Sequence, residues 1–177
     1  MSNIQWALDP THSEIQFKIK HLMISTVTGS FKKFDLNVTT ATDDFSSASA
    51  IDFTADLDSI FTNNAQRDEH LKSADFFNIA EHKQIVYKGN KYEKNGGDAK
   101  LQGDLTISGT TKSVPLNVEF GGTVVDPYGQ IKAGFTVTGK FSRKDFGITF
   151  NGVTEAGNLI LGDEVKLEAE IQLVKKS

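Results

Sequence analysis

The chain of 177 residues contains no cysteine, which excludes disulfides, thiol catalysis and thiolate metal sites. It has 3 prolines and 1 tryptophan, and each proline, Pro10, Pro115 and Pro127, marks a turn or a break in a pattern. Basic residues form no block. The longest runs are the pairs Lys32-Lys33, Arg143-Lys144 and Lys175-Lys176, and the net charge is -4. Nucleic-acid binding needs clustered Lys and Arg to displace phosphate counterions, so no nucleic-acid partner is expected. No apolar run is long enough to span a bilayer, so stable membrane insertion is not expected either. The opening MSNIQWALDP has no basic segment followed by an apolar run and does not resemble a secretory signal. The expected location is the cytoplasm, or the periplasm if the chain is the processed form of an exported precursor. Neither a nucleophile elbow nor a phosphate loop occurs. The length suggests a single domain over 1–177.

What the chain does have is phenylalanine, 13 residues, and a period of two. Ile15, Phe17 and Ile19 alternate with polar residues, as do Ile51, Phe53, Ala55 and Leu57. Leu101, Leu105 and Ile107 share one face, and so do Val114, Leu116, Val118 and Phe120. The same phase runs from Ile131 through Phe135 and Val137 to Phe141, and from Val165 to Leu173. Sustained alternation means half-buried antiparallel strands. Asn95-Gly96-Gly97, Ser108-Gly109-Thr110 and Asp126-Pro127-Tyr128-Gly129 read as turns. Pro115 suggests an edge, a bulge or the first residues of a strand, and an exposed edge there would allow a homodimer. The fold class is all-β, and long strands favour an eight-stranded antiparallel barrel over a sandwich. The interior Phe residues either fill a core or line a cavity for one apolar guest; periodicity leaves both open.

One stretch breaks the alternation. Asn63–Ser73 reads as a helix, with Asn63 or Asn64 as its cap and a capping-box spacing from Asn63 to Gln66. Arg67, His70, Leu71 and Ala74 share a face, while Asp68 and Lys72 pair on another face toward water. Asp68 and Glu69 are adjacent, so a helix points them about 100° apart, unlike cooperating carboxylates that converge on one atom. His70 lacks a second His four residues away, so no metal site is expected. The readings left open are packing over a barrel end, a polar contact for a ligand headgroup, and catalysis. Elsewhere, Asp9-Pro10-Thr11-His12 sets an acid near a His but is also simply a turn. His21 continues the inward face of its strand, either as a satisfied buried His or as a polar group at the lid.

Five blocks carry more than their periodicity: WALDPTHSEIQFKIKHLMISTVTGSF, RDEHLKSADFFN, GDLTISGTTKSV, RKDFGI and GDEVKLEAEIQL. In order and spacing they resemble the YceI-like family over nearly the whole chain. Arg67, Asp68, His70 and Leu71 match the family's R-D-x-H-L block, Phe76-Phe77 its Phe pair, and Arg143, Asp145, Phe146 and Gly147 its R-x-D-F-G block. The resemblance implies a lipocalin-like barrel that binds, carries or sequesters an isoprenoid or other long-chain lipid, with helical or loop segments near 143–150. It implies no established enzymatic activity, no catalytic residue and no required cofactor. Inward Phe17, Ile19, Phe53, Leu57, Leu105, Phe135 and Val137 would then line the tunnel. Leu71, Phe76, Phe77 and Phe146 would close its ends, with Arg67, His70 and His21 near a headgroup. The alternatives are an enzyme acting on such a lipid through His70, Arg67 or His12, and a stress-related interaction protein with a filled barrel.

Overall fold

The computed structural model describes residues 3–151 and 161–176. The first half supplies β1 (Ile4–Leu8), β2 (Glu14–His21), β3 (Ser25–Phe31), β4 (Phe34–Thr40), β5 (Ala48–Asp56), β6 (Ile60–Phe61) and the helix α1 (Ala65–Lys72). The second half supplies β7 (Gln84–Asn95), β8 (Asp98–Ile107), β9 (Thr110–Ser113), β10 (Leu116–Val125), β11 (Ile131–Ser142) and β12 (Glu164–Lys175). All pairings among the described strands are antiparallel.

Short interruptions join these segments into longer strands. β1 and β2 both pair β12, on either side of a 3₁₀ turn at Pro10–His12. β4 and β3 follow them on the other side, and β9 and β10 both pair β8 across Pro115. With β1–β2, β3–β4, β5–β6 and β9–β10 each counted once, the described segments form eight long strands. Each pairs its sequence neighbour, and β12 returns to β1 and β2 to close the ring. This is the all-β, eight-stranded barrel that alternation and the family resemblance both led to. Closure satisfies the backbone groups that an open sheet would leave at its edges. It also corrects the edge expected near Pro115. That proline precedes β10, which pairs β8 on one side and β11 on the other, so the edge expected to support a dimer is used within the chain.

The turns follow their residues. Ser108 and Gly109, with φ 51° and 79°, make the β8–β9 hairpin, and Gly129 donates its amide to the Asp126 carbonyl at 3.0 Å. The helix is shorter than 63–73. Its cap is Asn64, whose side chain accepts from the Arg67 amide at 3.0 Å, while Asn63 takes a left-handed φ of 62°. Near 143–150 the chain makes a 3₁₀ turn, Arg143–Phe146, ended by Gly147 at φ 78°. Among the described residues, no helix is long and apolar enough to cross a membrane.

The interior differs along its length. At the end formed by β1, β4 and the β10–β11 hairpin, the aromatic rings close on one another. Phe45, carried inward by a 3₁₀ turn at Phe45–Ser47, lies 4.7 Å from Trp6 and 4.8 Å from Phe135, ring centre to ring centre. Phe120 completes the group, 5.2 Å from Phe135. The buried Trp6 indole donates to Thr40 Oγ1 at 3.0 Å, so the plug carries no orphaned N–H there. The opposite end, beneath α1, is hollow.

Candidate functional site

The hollow end is a cavity of about 640 Å³, within the range of small-molecule sites, roughly 300–1,000 Å³. Its walls are almost entirely hydrocarbon. β2 contributes Ile15, Phe17 and Ile19, β5 contributes Ile51 and Phe53, and β8 contributes Leu101, Leu105 and Ile107. Val137 and Phe141 come from β11, and Val165, Leu167, Ala169 and Ile171 from β12. A small residue makes room for one of these rings: at Gly29 of β3 an added Cβ would lie 2.2 Å from the tip of the Phe17 ring. One polar wall group is satisfied internally. The buried Tyr87 hydroxyl donates to the Val114 carbonyl at 2.8 Å, and burial pushes its pKa up.

Where the lining becomes exposed, the cavity has its mouth. Ser25, His70 and Phe150 lie there, together with His21 and Leu161, which are bridged across the rim. Phe76 and Phe77 follow α1 and fold back under it, with the Phe77 amide bonded to the Leu71 carbonyl. His70, Phe76 and Phe150 meet edge to face, with ring centres 5.1–5.2 Å apart. Such edge-to-face contacts are worth about 1 kcal/mol each beyond the area they bury.

Of the residues expected to line or close the tunnel, Phe17, Ile19, Phe53, Leu71, Phe76, Phe77, Leu105 and Val137 all face the cavity. Leu57, Phe135 and Phe146 do not. β5 ends at Asp56, whose carboxylate caps a 3₁₀ turn at Leu57–Ser59, and this turns Leu57 into the solid core. Phe135 has the inward phase but lies deeper, in the aromatic plug. Phe146 sits in the turn after β11 and packs edge-on against Phe141 at 5.3 Å.

Arg67, His70 and His21 also border the cavity, but two of them have partners. Arg67 Nε donates to Thr62 Oγ1 at 2.8 Å and its Nη2 to the Thr62 carbonyl. His70 Nε2 lies 2.8 Å from Asp75 Oδ2. Asp68 departs from its expected pairing with Lys72. It accepts from the Thr62 amide at 2.9 Å and from the Thr62 hydroxyl, because α1 begins just after β6 and its first turn lies over Thr62. Lys72 pairs instead with Asp58 and Glu69, at 3.2 and 3.4 Å. The R-D part of the block is therefore a clamp holding the lid to the barrel.

The Asp9–His12 pair lies at the other end. Asp9 accepts from Thr11 as the cap of a 3₁₀ turn, bonds His12 at 2.9 Å and pairs with Lys132 at 2.7 Å. The Lys132 hydrogen bond holds its carboxyl well below the usual range. Among the described residues, no group of three or more His, Asp or Glu could hold a metal ion.

Sequence reasoning missed Phe31, Phe141, Phe150 and Arg143, all of which line the cavity. Phe141 shares the phase of Val137 and could have been found; Arg143 carries no apolar signal.

Known proteins share this architecture and sequence. A UPF0312 protein of Staphylococcus aureus is 41% identical over 170 residues, covering 94% of this chain and 95% of its own. The crystal structure of a Campylobacter jejuni YCEI protein superposes with a TM-score of 0.76 at 33% identity, covering 96% of this chain and 97% of that one. A polyisoprenoid binding domain from Saccharophagus degradans shares the fold, with a TM-score of 0.65 at 14% identity over 97% and 98% of the two chains. The YceI-like domain model matches residues 6–173, and the chain belongs to that family.

Proposed function

We propose that the chain binds and carries, or sequesters, an isoprenoid or similar long apolar chain in the hollow half of its barrel. The observation behind this reading is the cavity of about 640 Å³, walled by hydrocarbon and opening at a mouth that His70 and Phe150 border. Covering about 300 Å² of a guest's apolar surface contributes about 7 kcal/mol, from which ordering a flexible chain subtracts a substantial part. The polyisoprenoid binding domain of Saccharophagus degradans, which shares the fold, supports the choice of guest.

Binding fits the site better than turnover. Asp75 orients His70 as it would a general base, but among the described residues no nucleophile is hydrogen-bonded to that His, and Arg67 is held by Thr62. A filled interaction barrel does not fit a continuous cavity. The test is gentle purification, organic extraction and mass spectrometry. A prenyl or acyl chain should co-purify reproducibly, or be taken up by the emptied protein. A protein that is always empty and takes up neither would end this reading.

A further inference from the structure

A guanidinium in an apolar wall needs acceptors for all of its N–H groups. Arg143 is 3% exposed and lines the cavity. Its Nε donates to the Gly162 carbonyl at 2.9 Å, and its Nη1 donates to the carbonyls of Ile148 and Phe150, each at 2.8 Å. Those bonds occupy three of the five N–H groups. Nη2 is buried and makes no hydrogen bond. Among buried side-chain nitrogens and oxygens of the described residues, it alone is unsatisfied.

The charge is as poorly matched as the donors. All three acceptors are neutral backbone carbonyls. The neighbouring carboxylate, Asp163, is bonded to the Ser142 hydroxyl and the Lys144 amide. It acts on Arg143 through its field, while burial pushes the guanidinium pKa down. A buried cation with two unused N–H groups is costly unless an acceptor arrives. Guanidinium groups favour carboxylate and phosphate oxygens as acceptors. The other arginine at the cavity gives the contrast, since Arg67 bonds Thr62 through both Nε and Nη2.

The anchoring of Arg143 also places it. Its bonds to Ile148 and Phe150 on one side and to Gly162 on the other hold it beside Phe150 and Leu161, at the rim rather than the floor. A chain entering tail first would leave its head there.

We propose that Arg143 is the headgroup anchor of this site, and that the guest is a long apolar chain ending in an anionic oxygen group, a carboxylate or a phosphate. This rests on the chain-binding reading above and narrows it to one ligand class.

The test compares guests of matched length on the intact protein: geranylgeranyl phosphate, the corresponding carboxylic acid, geranylgeraniol and a branched hydrocarbon. Wild type should bind the two anions about tenfold more tightly than the hydrocarbon, with the alcohol between. Arg143→Gln should erase the preference for the anions over the hydrocarbon, and Arg143→Lys should restore part of it. Wild type binding the hydrocarbon as tightly as both anions would overturn the anchor while leaving the container intact. So would an equal loss for every guest in folded Arg143→Gln protein. If no guest binds wild type, both readings fall. The wild-type series decides the ligand class even if the variants do not fold, and Arg67→Gln, which should keep the preference, assigns the anchor.

Discussion

The two ends of this barrel are built from the same alternating strands and reach opposite outcomes. At one end Trp6, Phe45, Phe120 and Phe135 meet ring against ring; at the other, Phe17, Phe53 and Leu105 stand around open space. Phenylalanine content does not decide which end is solid. The filled end receives an extra residue from outside the strand pattern, because the 3₁₀ turn at Phe45–Ser47 inserts Phe45 among the others. At the hollow end the segment after β6 becomes a lid instead. Arg67 and Asp68 fix α1 to Thr62, and Leu71, Phe76 and Phe77 cover the space without occupying it. One end holds the barrel together and the other leaves room for a guest.

That division is open to attack from both sides. The largest effect is expected from Trp6→Ala, which removes the centre of the plug and leaves the buried Thr40 hydroxyl without its indole partner. Urea denaturation should show a loss of about 4 kcal/mol, while uptake of a chain by the remaining folded protein stays as in wild type. Ala169→Trp should do the reverse. Its indole would enter the hollow half opposite Val137, weakening chain binding at least about tenfold, or about 1.4 kcal/mol, measured by fluorescence titration. Stability should change by about 1 kcal/mol or less, because the site is not close-packed.

A smaller effect is expected from Asp9, which ties the 3₁₀ turn after β1 to Lys132 at the closed end. Its carboxyl is held below the ordinary value, chiefly by the hydrogen bond from Lys132. The stability it contributes is therefore complete at neutral pH and is lost as pH falls below about 4. Asp9→Asn should cost about 1 kcal/mol near pH 7. The gap from wild type should narrow as the pH is lowered, and binding at the other end should not change.

Much of the architecture was legible because alternation and turn chemistry agree. Gly96, Gly109 and Gly129 all take the positive φ that their turns require, and the inward phase of β2, β8, β11 and β12 could be read directly. Depth along the barrel could not. Phe135 and Val137 share one phase two residues apart, yet Phe135 joins the plug and Val137 faces the cavity. Nor does periodicity mark where a strand stops. Leu57 continues the alternation of Ile51, Phe53 and Ala55, but the Asp56 cap had already turned the chain. In the RDEHLKSADFF stretch Glu69 faces water as expected, but Asp68 does not, for a related reason: it meets a residue that precedes the helix, a contact that face counting within the helix cannot reveal. Arg143 was visible only as a motif position, because a buried arginine looks like a surface one until its surroundings are known.

The division between the ends is tested most directly by a prenyl alcohol carrying a diazirine at its tail, photolysed in the intact protein, with the adducts mapped by peptide mass spectrometry. Adducts should fall on the segments holding Ile15 to Ile19, Leu101 to Ile107 and Val137 to Phe141, all of which wall the cavity, and an unlabelled chain should suppress them. Adducts confined to the outer strand faces, or unaffected by competitor, would contradict a guest in the hollow half.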